Sequence, residues 1–405
     1  MLIKNFVVFS LLFTLMYFET SVIGGVKFTL IWKVFFLVPI VMYLIHKEAY
    51  SISRVTLFGF LFAVKILFYN WNVAVHYEAE LVYFVKIVSF LIILEFFRFK
   101  YQGRVSDLEG GVVKFAGLII LTTIPFLMGL VDAPVNLEEN SLAKFGYAHL
   151  YEFVGVFGNK HNAAVTLAGA LLVMISNREY FYSRDSKILY FFLISIGLIA
   201  LYLTYVRTGY LVLFCGLSAL YLWGGNAKQK LKYLPLIGFI FAAVYIVFQN
   251  SDILQMRILD KNVYTDSAGE LGSGRLIFYQ IGFSSFIDSS FTSIILGVGD
   301  GHAKDIMADY IGHRYASHSG FLDILRISGL LGFLFFIFFL ISIFQLIINS
   351  SRSNMARRKL AALFVGYIAI MLVQGGIYFW FNVFLAVYIA IVYCDQSSGS
   401  ARRIC

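Results

Sequence analysis

Long apolar runs constrain this chain more than any other feature. A membrane-crossing helix needs about 20 mostly apolar residues, and twelve such runs lie near 5–20, 28–45, 55–69, 80–97, 112–131, 161–176, 187–204, 208–223, 234–249, 327–348, 358–373 and 376–393. Lipid offers a backbone no hydrogen-bond partners, so runs of this kind close their hydrogen bonds internally as helices. Composition agrees: the 405 residues are 60% hydrophobic and 14% charged, against roughly 45–50% and about 25% for soluble domains. A soluble core of this length has no room for the surplus, because single cores stop growing near ~250–300 residues. A soluble enzyme is therefore excluded. So is a disordered chain, since 43 Phe and 4 Pro are the opposite of that signature. The expected fold class is all-α: a polytopic membrane protein of about 12 transmembrane helices, forming a single integral membrane domain over 1–405.

The first run has the look of a signal peptide, with Lys4 ahead of Phe6–Phe18. It lacks a small-x-small cleavage site and eleven further runs follow, so it reads as a retained anchor. Positive charge sets the orientation. With the N-terminus inside, the inner loops carry Lys47, Arg54, Arg98, Lys100, Arg104, Arg178, Arg184, Lys187, Lys228, Lys230, Lys232, Arg352, Arg357, Arg358 and Lys359, whereas the four short outer loops carry only Lys27 and Arg207. That asymmetry places both termini in the cytoplasm. The net charge of +9 is read in the same way, as loop orientation and not as a nucleic-acid surface.

Two outer loops are long, about 132–160 and about 250–317. The second lies between spans nine and ten and holds eight acidic and five basic residues. Loops of that length without transmembrane character are usually functional or disordered. After Arg275 the apolar residues Leu276, Phe278, Phe283, Phe286 and Ile287 recur at helical spacing. The 250–317 segment is thus expected to be an extracytoplasmic cap containing an amphipathic helix, lying on the membrane or packed on the bundle. Cys215, Cys394 and Cys405 form no CxxC or Cys/His cluster, so neither a disulfide framework nor a metal site is implied.

Basic residues are scarce on the outer face, so each needs a reason. Arg207, in Thr204-Tyr-Val-Arg207 between spans seven and eight, is either a snorkelling anchor or a phosphate ligand, its planar fork matching diphosphate oxygens. Arg275 follows Gly272-Ser-Gly274 and opens a helix, where free N–H groups and the positive dipole end suit an anion. Lys160 and Asn162, in Phe157-Gly-Asn-Lys-His-Asn162, face outside beside the mouth as substrate contacts, or as helix capping. Leu296-Gly-Val-Gly-Asp-Gly301 is not a P-loop, because no Gly-Lys-Ser/Thr follows. It reads as a tight turn, with Asp300 a candidate substrate contact.

His318 stands out, in Ala316-Ser-His-Ser-Gly320 at the end of the long loop. If 318–326 is helical, His318 lies about 13 Å above the apolar run that begins at Ile327. That is head-group depth, and imidazole is the side chain best poised to take a proton near neutral pH. An interfacial histidine satisfied by water fits the same position. Asp323 and Arg326 can pair at i, i+3. On a helical wheel Asp323 lies well round from His318, a poor placement for orienting the ring. Ser319 is a further candidate substrate contact. Lys33, Lys65, Lys86 and Glu95 fall within or near spans, where ionisable groups are functional candidates by default.

These segments carry a resemblance. His318-Ser319, nine residues, then Gly329-Leu-Leu-Gly332 resembles the His-Asn/Ser/Gln, x-nine, Gly-x-x-Gly signature of O-antigen ligases. The same region, with Ser273-Gly-Arg275 and Leu296-Gly-Val-Gly299, is similar to Wzy-type O-antigen polymerases. Thr204-Tyr-Val-Arg207 resembles the Ser/Thr-x-Ser/Thr-Arg segment of both, with Val206 in place of the usual hydroxyl residue. The likeness covers roughly 157–335, while the first 150 residues match only in hydropathy.

The resemblance implies a metal-independent, cofactor-free, inverting glycosyltransferase of the bacterial inner membrane, with its active site on the periplasmic face. Its donor is a glycan on undecaprenyl diphosphate. It implies His318 as general base on the acceptor hydroxyl, with Arg275 and Arg207 holding the diphosphate. Diphosphate is already a good leaving group, and cationic side chains can stabilise it in place of a metal. No Asp-x-Asp motif occurs in the chain. The expected partners are a lipid-linked oligosaccharide, membrane lipids and a chain-length regulator protein. A polymerase passes the growing chain to a lipid-linked repeat unit; a ligase passes it to lipid A-core. The wealth of Phe and Tyr and the compact outer cap favour the polymerase, and the ligase signature pulls the other way. A transporter or flippase of lipid-linked sugars stays open as a different class, although no internal repeat is seen.

Overall fold

The computed structural model describes residues 52–73, 77–131, 153–223, 275–312, 314, 316–349, 354–375 and 378–400, with 22–23, 26–27, 38, 40–46 and 238. The runs near 5–20 and 234–249, most of 28–45, and Lys33, Gly272–Gly274, His313 and Cys405 lie outside the described residues. Twelve helices in the described residues carry the argument below. They are α1 (Arg54–Leu67), α2 (Tyr77–Lys100), α3 (Val105–Leu121), α4 (Lys160–Ser176), α5 (Arg184–Leu203), α6 (Arg207–Leu222), α7 (Arg275–Ile287), α8 (Phe291–Leu296), α9 (Asp300–Ile311), α10 (Gly320–Asn349), α11 (Asn354–Val373) and α12 (Phe379–Ser400). Among the described residues the one strand pairing is a two-residue antiparallel contact, Val22–Ile23 with Val26–Lys27.

By length and composition, three described segments suit a membrane crossing: Val105–Leu127, Arg184–Leu203 and Gly320–Asn349. Lys160–Ser176, Arg207–Leu222 and Phe379–Cys394 are apolar but shorter. Side-chain placement follows the expectation for lipid. α5 turns Ile188, Phe191, Phe192, Leu198 and Ile199 outward, a face no water-soluble surface of this size would carry. The reverse holds for α4 and α12. Ala163–Met174 and Phe381–Val392 are buried all round, the pattern of helices at the centre of a bundle. α6 packs against α4 and α11, α1 against α2 and α10, and α12 against α2 and α11.

One span begins earlier than its hydropathy suggests. The apolar run near 112–131 becomes α3 from Val105, followed by a short turn of helix at Ile124–Leu127. Across its charged first turn Arg104 pairs with Asp107, Nη2 to Oδ2 at 2.9 Å. The helix ends where Thr122 and Thr123 hydroxyls donate back to the Ile119 and Ile120 carbonyls, just ahead of Pro125.

Segments that charge assigns to the inner side meet at one end. The Nζ of Lys359 on α11 donates to Asn177 Oδ1 (2.7 Å) and pairs with Glu179 (2.6 Å) and Glu109 (3.4 Å). Glu95 on α2 accepts from the Thr56 hydroxyl and the Ser53 backbone, and pairs with Arg98 at 3.1 Å. Glu95 is thus a helix tie. Gln374, beyond the other end of α11, lies about 22 Å from Lys359 along the helix.

Candidate functional site

The far end of the bundle is organised around a break in α10. At Gly329 the backbone leaves the helix, with φ 65 and ψ −173. A break strands carbonyls that would otherwise accept from the next turn. Two of them find partners in the Leu296-Gly-Val-Gly299 turn: Val298 N–H donates to Arg326 O (3.0 Å) and Gly299 N–H to Ile327 O (3.1 Å). Gly297 and Gly299 also have positive φ, 84 and 80, a conformation that side-chain-bearing residues rarely adopt. α1 fastens the turn from the other side. Lys65 Nζ donates to the carbonyls of Phe68 and Leu296, and Asn70 N–H to Gly297 O at 3.1 Å. Lys65 is therefore a tie between segments. The two glycine motifs, apart in sequence, form one joint.

His318 sits just above this joint. The expectation of a helix over 318–326 is corrected: α10 starts at Gly320, and His318 has a left-handed backbone, φ 60. Among the described residues, Tyr205 (φ 52) is the other non-glycine with positive φ. Such strain costs of order 1–3 kcal/mol and persists where surrounding contacts hold it, often at functional sites. The contacts here are explicit. Asp323 Oδ1 accepts from Ser317 N–H at 2.8 Å, and Asp323 N–H donates to Ser319 O at 2.8 Å. Tyr279 OH donates to the His318 carbonyl at 3.4 Å, and Phe278 meets the imidazole edge-on, 5.1 Å between centroids.

Asp323 and Arg326 attract one another across one helical turn, as the i, i+3 spacing suggests, but without a direct salt bridge. Asp323 holds the histidine loop through the backbone, while Arg326 Nη2 donates to Ala303 O at 2.7 Å. Asp323 makes no bond to the imidazole itself, in keeping with its placement away from the ring; its contacts are to the backbone of Ser317 and Ser319. Ser319 caps α10, its Oγ accepting from Leu322 N–H at 3.5 Å.

The second strained residue, Tyr205, precedes Arg207, which opens α6. Thr204 stabilises that turn, its hydroxyl donating to Leu201 O (2.7 Å) and accepting from Val206 N–H (3.3 Å). Next to Arg207, Thr208 Oγ1 donates to Gln374 Oε1 at 2.8 Å. The following residue, Gly375, passes so close to α10 that a Cβ there would lie 2.8 Å from Asp323 Oδ2. The starts of α6 and α10, carrying Arg207 and leading from His318, are therefore tied together through Gln374-Gly375.

Lys160 opens α4 at the same end, since a Cβ on Gly209 of α6 would lie 2.9 Å from Ala164 Cβ of α4. Asn159 caps α4 by accepting from Asn162 N–H at 2.8 Å, and Asn162 Nδ2 donates to Phe157 O at 3.3 Å. Asn162 has a helix-end role there. Arg275 opens α7, the helix that carries Tyr279 and Phe278 to His318. The side chain of Arg275 lies outside the described residues.

Asp300 belongs to a neighbouring groove. It opens α9 and pairs with Lys304 at 2.6 Å. The groove, about 900 Å³, is lined by Tyr77, Lys86, Asp300, Lys304, Arg314 and Asp323 among others. Glu80, 1% exposed, caps α9 by accepting from Gly301 N–H at 3.2 Å. Tyr77, Glu80, Lys304 and Arg314 were not singled out by the sequence. The available signal was aromatic and acidic residues crowded into Trp71–Glu80 at the start of an apolar run. Among the described residues, no group of three or more His, Cys, Asp or Glu side chains is arranged to hold a metal ion.

Residues 190–337 match the family model described as O-antigen ligase. That stretch contains both strained residues, α7 to α9 and the broken start of α10, and it stops short of Gln374. No curated protein matches the chain.

Proposed function

We propose that this protein is an O-antigen polymerase of the bacterial inner membrane. In this reading it transfers a growing glycan from undecaprenyl diphosphate to a hydroxyl of a lipid-linked repeat unit. The observation that carries the reading is the tie between Arg207 and His318 through Thr208, Gln374 and Gly375. It brings a guanidinium-bearing helix start and a left-handed histidine loop to one end of the bundle, within segments that match an O-antigen enzyme family.

The chemistry follows from those groups. His318 takes the proton of the acceptor hydroxyl as its oxygen attacks the anomeric carbon. The bond from that carbon to the diphosphate oxygen breaks, and undecaprenyl diphosphate leaves with the bonding pair. Attack from the face opposite the leaving group inverts the anomeric configuration. Arg207 and Arg275 stabilise the negative charge as it develops on the diphosphate. Lys160 adds charge beside them, while Asn162 and Ser319 shape the helix ends that frame the site. No metal takes part, so the reaction proceeds in excess EDTA. The chain forms one membrane domain over 1–405 with twelve spans and both termini cytoplasmic, and 250–317 caps the periplasmic face. A chain-length regulator is its expected protein partner.

The test is the lipopolysaccharide profile of strains carrying His318→Ala or lacking the protein. Core bearing one repeat unit is expected in both. A normal ladder in the His318→Ala strain removes the general-base role. The matched family's description favours a second reading, transfer to lipid A-core. Bare core with accumulated lipid-linked polymer in the deletion strain establishes that ligase reading instead.

A further inference from the structure

We infer that the groove between α2, α9 and α10 holds the glycan of the acceptor, stacked on the ring of Tyr77. This assignment rests on the transfer reading above and adds where its second substrate sits.

The lining chemistry comes first. At about 900 Å³, the groove lies within the range of roughly 300–1,000 Å³ usual for ligand sites. Its walls carry both signs of charge. Lys304 pairs with Asp300 at 2.6 Å, and Arg314 at the rim pairs with Asp305 at 2.7 Å. Lys86 and Asp323 also face the groove. A bare diphosphate calls for cations without carboxylates beside them. A sugar presents hydroxyls that both donate and accept, and alternating carboxylates and cations satisfy both needs.

An aromatic ladder supplies the apolar contact. Tyr69 stacks on Trp71 (5.4 Å, 22° between planes), and Trp71 stacks on Tyr77 (6.0 Å, 22°). The ladder is anchored at one end and open at the other: Tyr69 is 2% exposed, Trp71 59% and Tyr77 46%. The anchor is Gly299, where a Cβ would lie 3.2 Å from the Tyr69 ring. Tyr77, the last ring, forms part of the groove wall. A pyranose offers one face of C–H groups to such a ring, leaving its hydroxyls for the charged walls. Residues that only anchor at a membrane interface need no such ladder.

Position completes the argument. Ala316 and Asp323 line the groove, and Asp323 holds Ser317 N–H, so the groove abuts the histidine loop. The start of α6, which carries Arg207, packs on that loop through other elements, by way of Thr208, Gln374 and Gly375. His318 thus stands between a diphosphate side and a glycan side. Below the groove, Tyr83 also borders a small apolar void of about 30 Å³ lined by Ile87, Phe90, Ile324 and Phe336, so the groove floor is closely packed. Along one face of α2, at helical spacing, the lining passes from Lys86 to Ile87 and Phe90. α2 lies outside the 190–337 match, so acceptor recognition would reside in the part of the chain the shared motifs do not cover.

The test is binding, not turnover. The full-length protein in lipid nanodiscs is titrated with the repeat-unit oligosaccharide released by mild acid from the cell's own lipid carrier. Wild type, His318→Ala and Tyr77→Phe are expected to bind alike. Tyr77→Leu keeps an apolar anchor but loses the stacking face, and is expected to weaken binding about tenfold. Retained affinity in Tyr77→Leu, or no binding by wild type, overturns the assignment. Because His318→Ala binds normally if the assignment holds, its failure is told apart from failure of the transfer reading, which is judged on the lipopolysaccharide ladder.

Discussion

The backbones of Gly297 and Gly329 cross at the break in α10, with no room for a side chain on either. A Cβ on Gly297 would lie 2.2 Å from Ile327 O, and one on Gly329 would lie 2.4 Å from Ile295 O. Both residues also have positive φ, which alone costs a side-chain-bearing residue roughly 1–2 kcal/mol. Gly297→Ala and Gly329→Ala are expected to undock the 296–299 turn and abolish polymer, while the protein stays in the membrane. Limited proteolysis of membranes checks this, since new cleavage should appear near the 296–299 turn. Wild-type ladders from either variant would show the joint is not needed.

Asp323 acts on His318 through the Ser317 amide. Hydrogen bonds to charged groups are worth about 1.5–3 kcal/mol, so Asp323→Ala is expected to slow transfer roughly 10- to 100-fold. Asp323→Asn keeps an oxygen that can accept from Ser317 N–H and should fall between Asp323→Ala and wild type. Initial rates of polymer formation by purified protein measure the order of the three. An Asn variant no better than Ala would mean the carboxylate does something other than hold the loop.

Thr208 and Gln374 tie the start of α6 to the turn beside α10. Thr208→Val and Gln374→Leu are each expected to lower the rate severalfold. The double variant should be little worse than either single one, giving a coupling of about 1 kcal/mol. Arg207→Lys tests the proposed diphosphate ligand next to this tie. A point charge does not reproduce a planar fork, so its affinity for the lipid diphosphate should drop. Additive losses in the cycle would argue that Arg207 is placed independently of α10.

At the end of the bundle away from Gln374, Lys359 is 2% exposed and binds Asn177, Glu179 and Glu109. Removing one partner of a buried pair leaves the others uncompensated and costs about 3–5 kcal/mol. Lys359→Met is expected to lower the thermal unfolding midpoint in detergent while the polymer still made keeps its sugar linkages. An unchanged midpoint would show that the cluster is solvated and weak.

Apolar run length made most of the described helices legible in the sequence. It is a local property, and lipid enforces it residue by residue. Candidate runs coincide with α1, α2, α4, α5, α6, α10, α11 and α12. The helix after Arg275 was equally legible from its spacing. The histidine and glycine motifs could be named because their spacings are short. α3 shows where hydropathy slips: it marks the apolar part of a helix, and the charged turn from Val105, with Arg104 and Asp107 paired across it, lies outside that run.

What the motifs do to one another was decided only by tertiary structure. Leu296-Gly-Val-Gly299 docks on carbonyls freed at Gly329, and Lys65 arrives from α1 to fasten it. Helical spacing keeps Asp323 away from the His318 ring, and the fold links the two residues through the Ser317 backbone instead, because α10 begins only at Gly320. Tyr77 and Lys86 share a groove wall with Asp300 because α2 packs beside α9. Periodicity reports which face of a helix is apolar. It carries no information about which distant backbone will meet that helix where its own hydrogen bonds stop, and at this site those meetings place the chemistry.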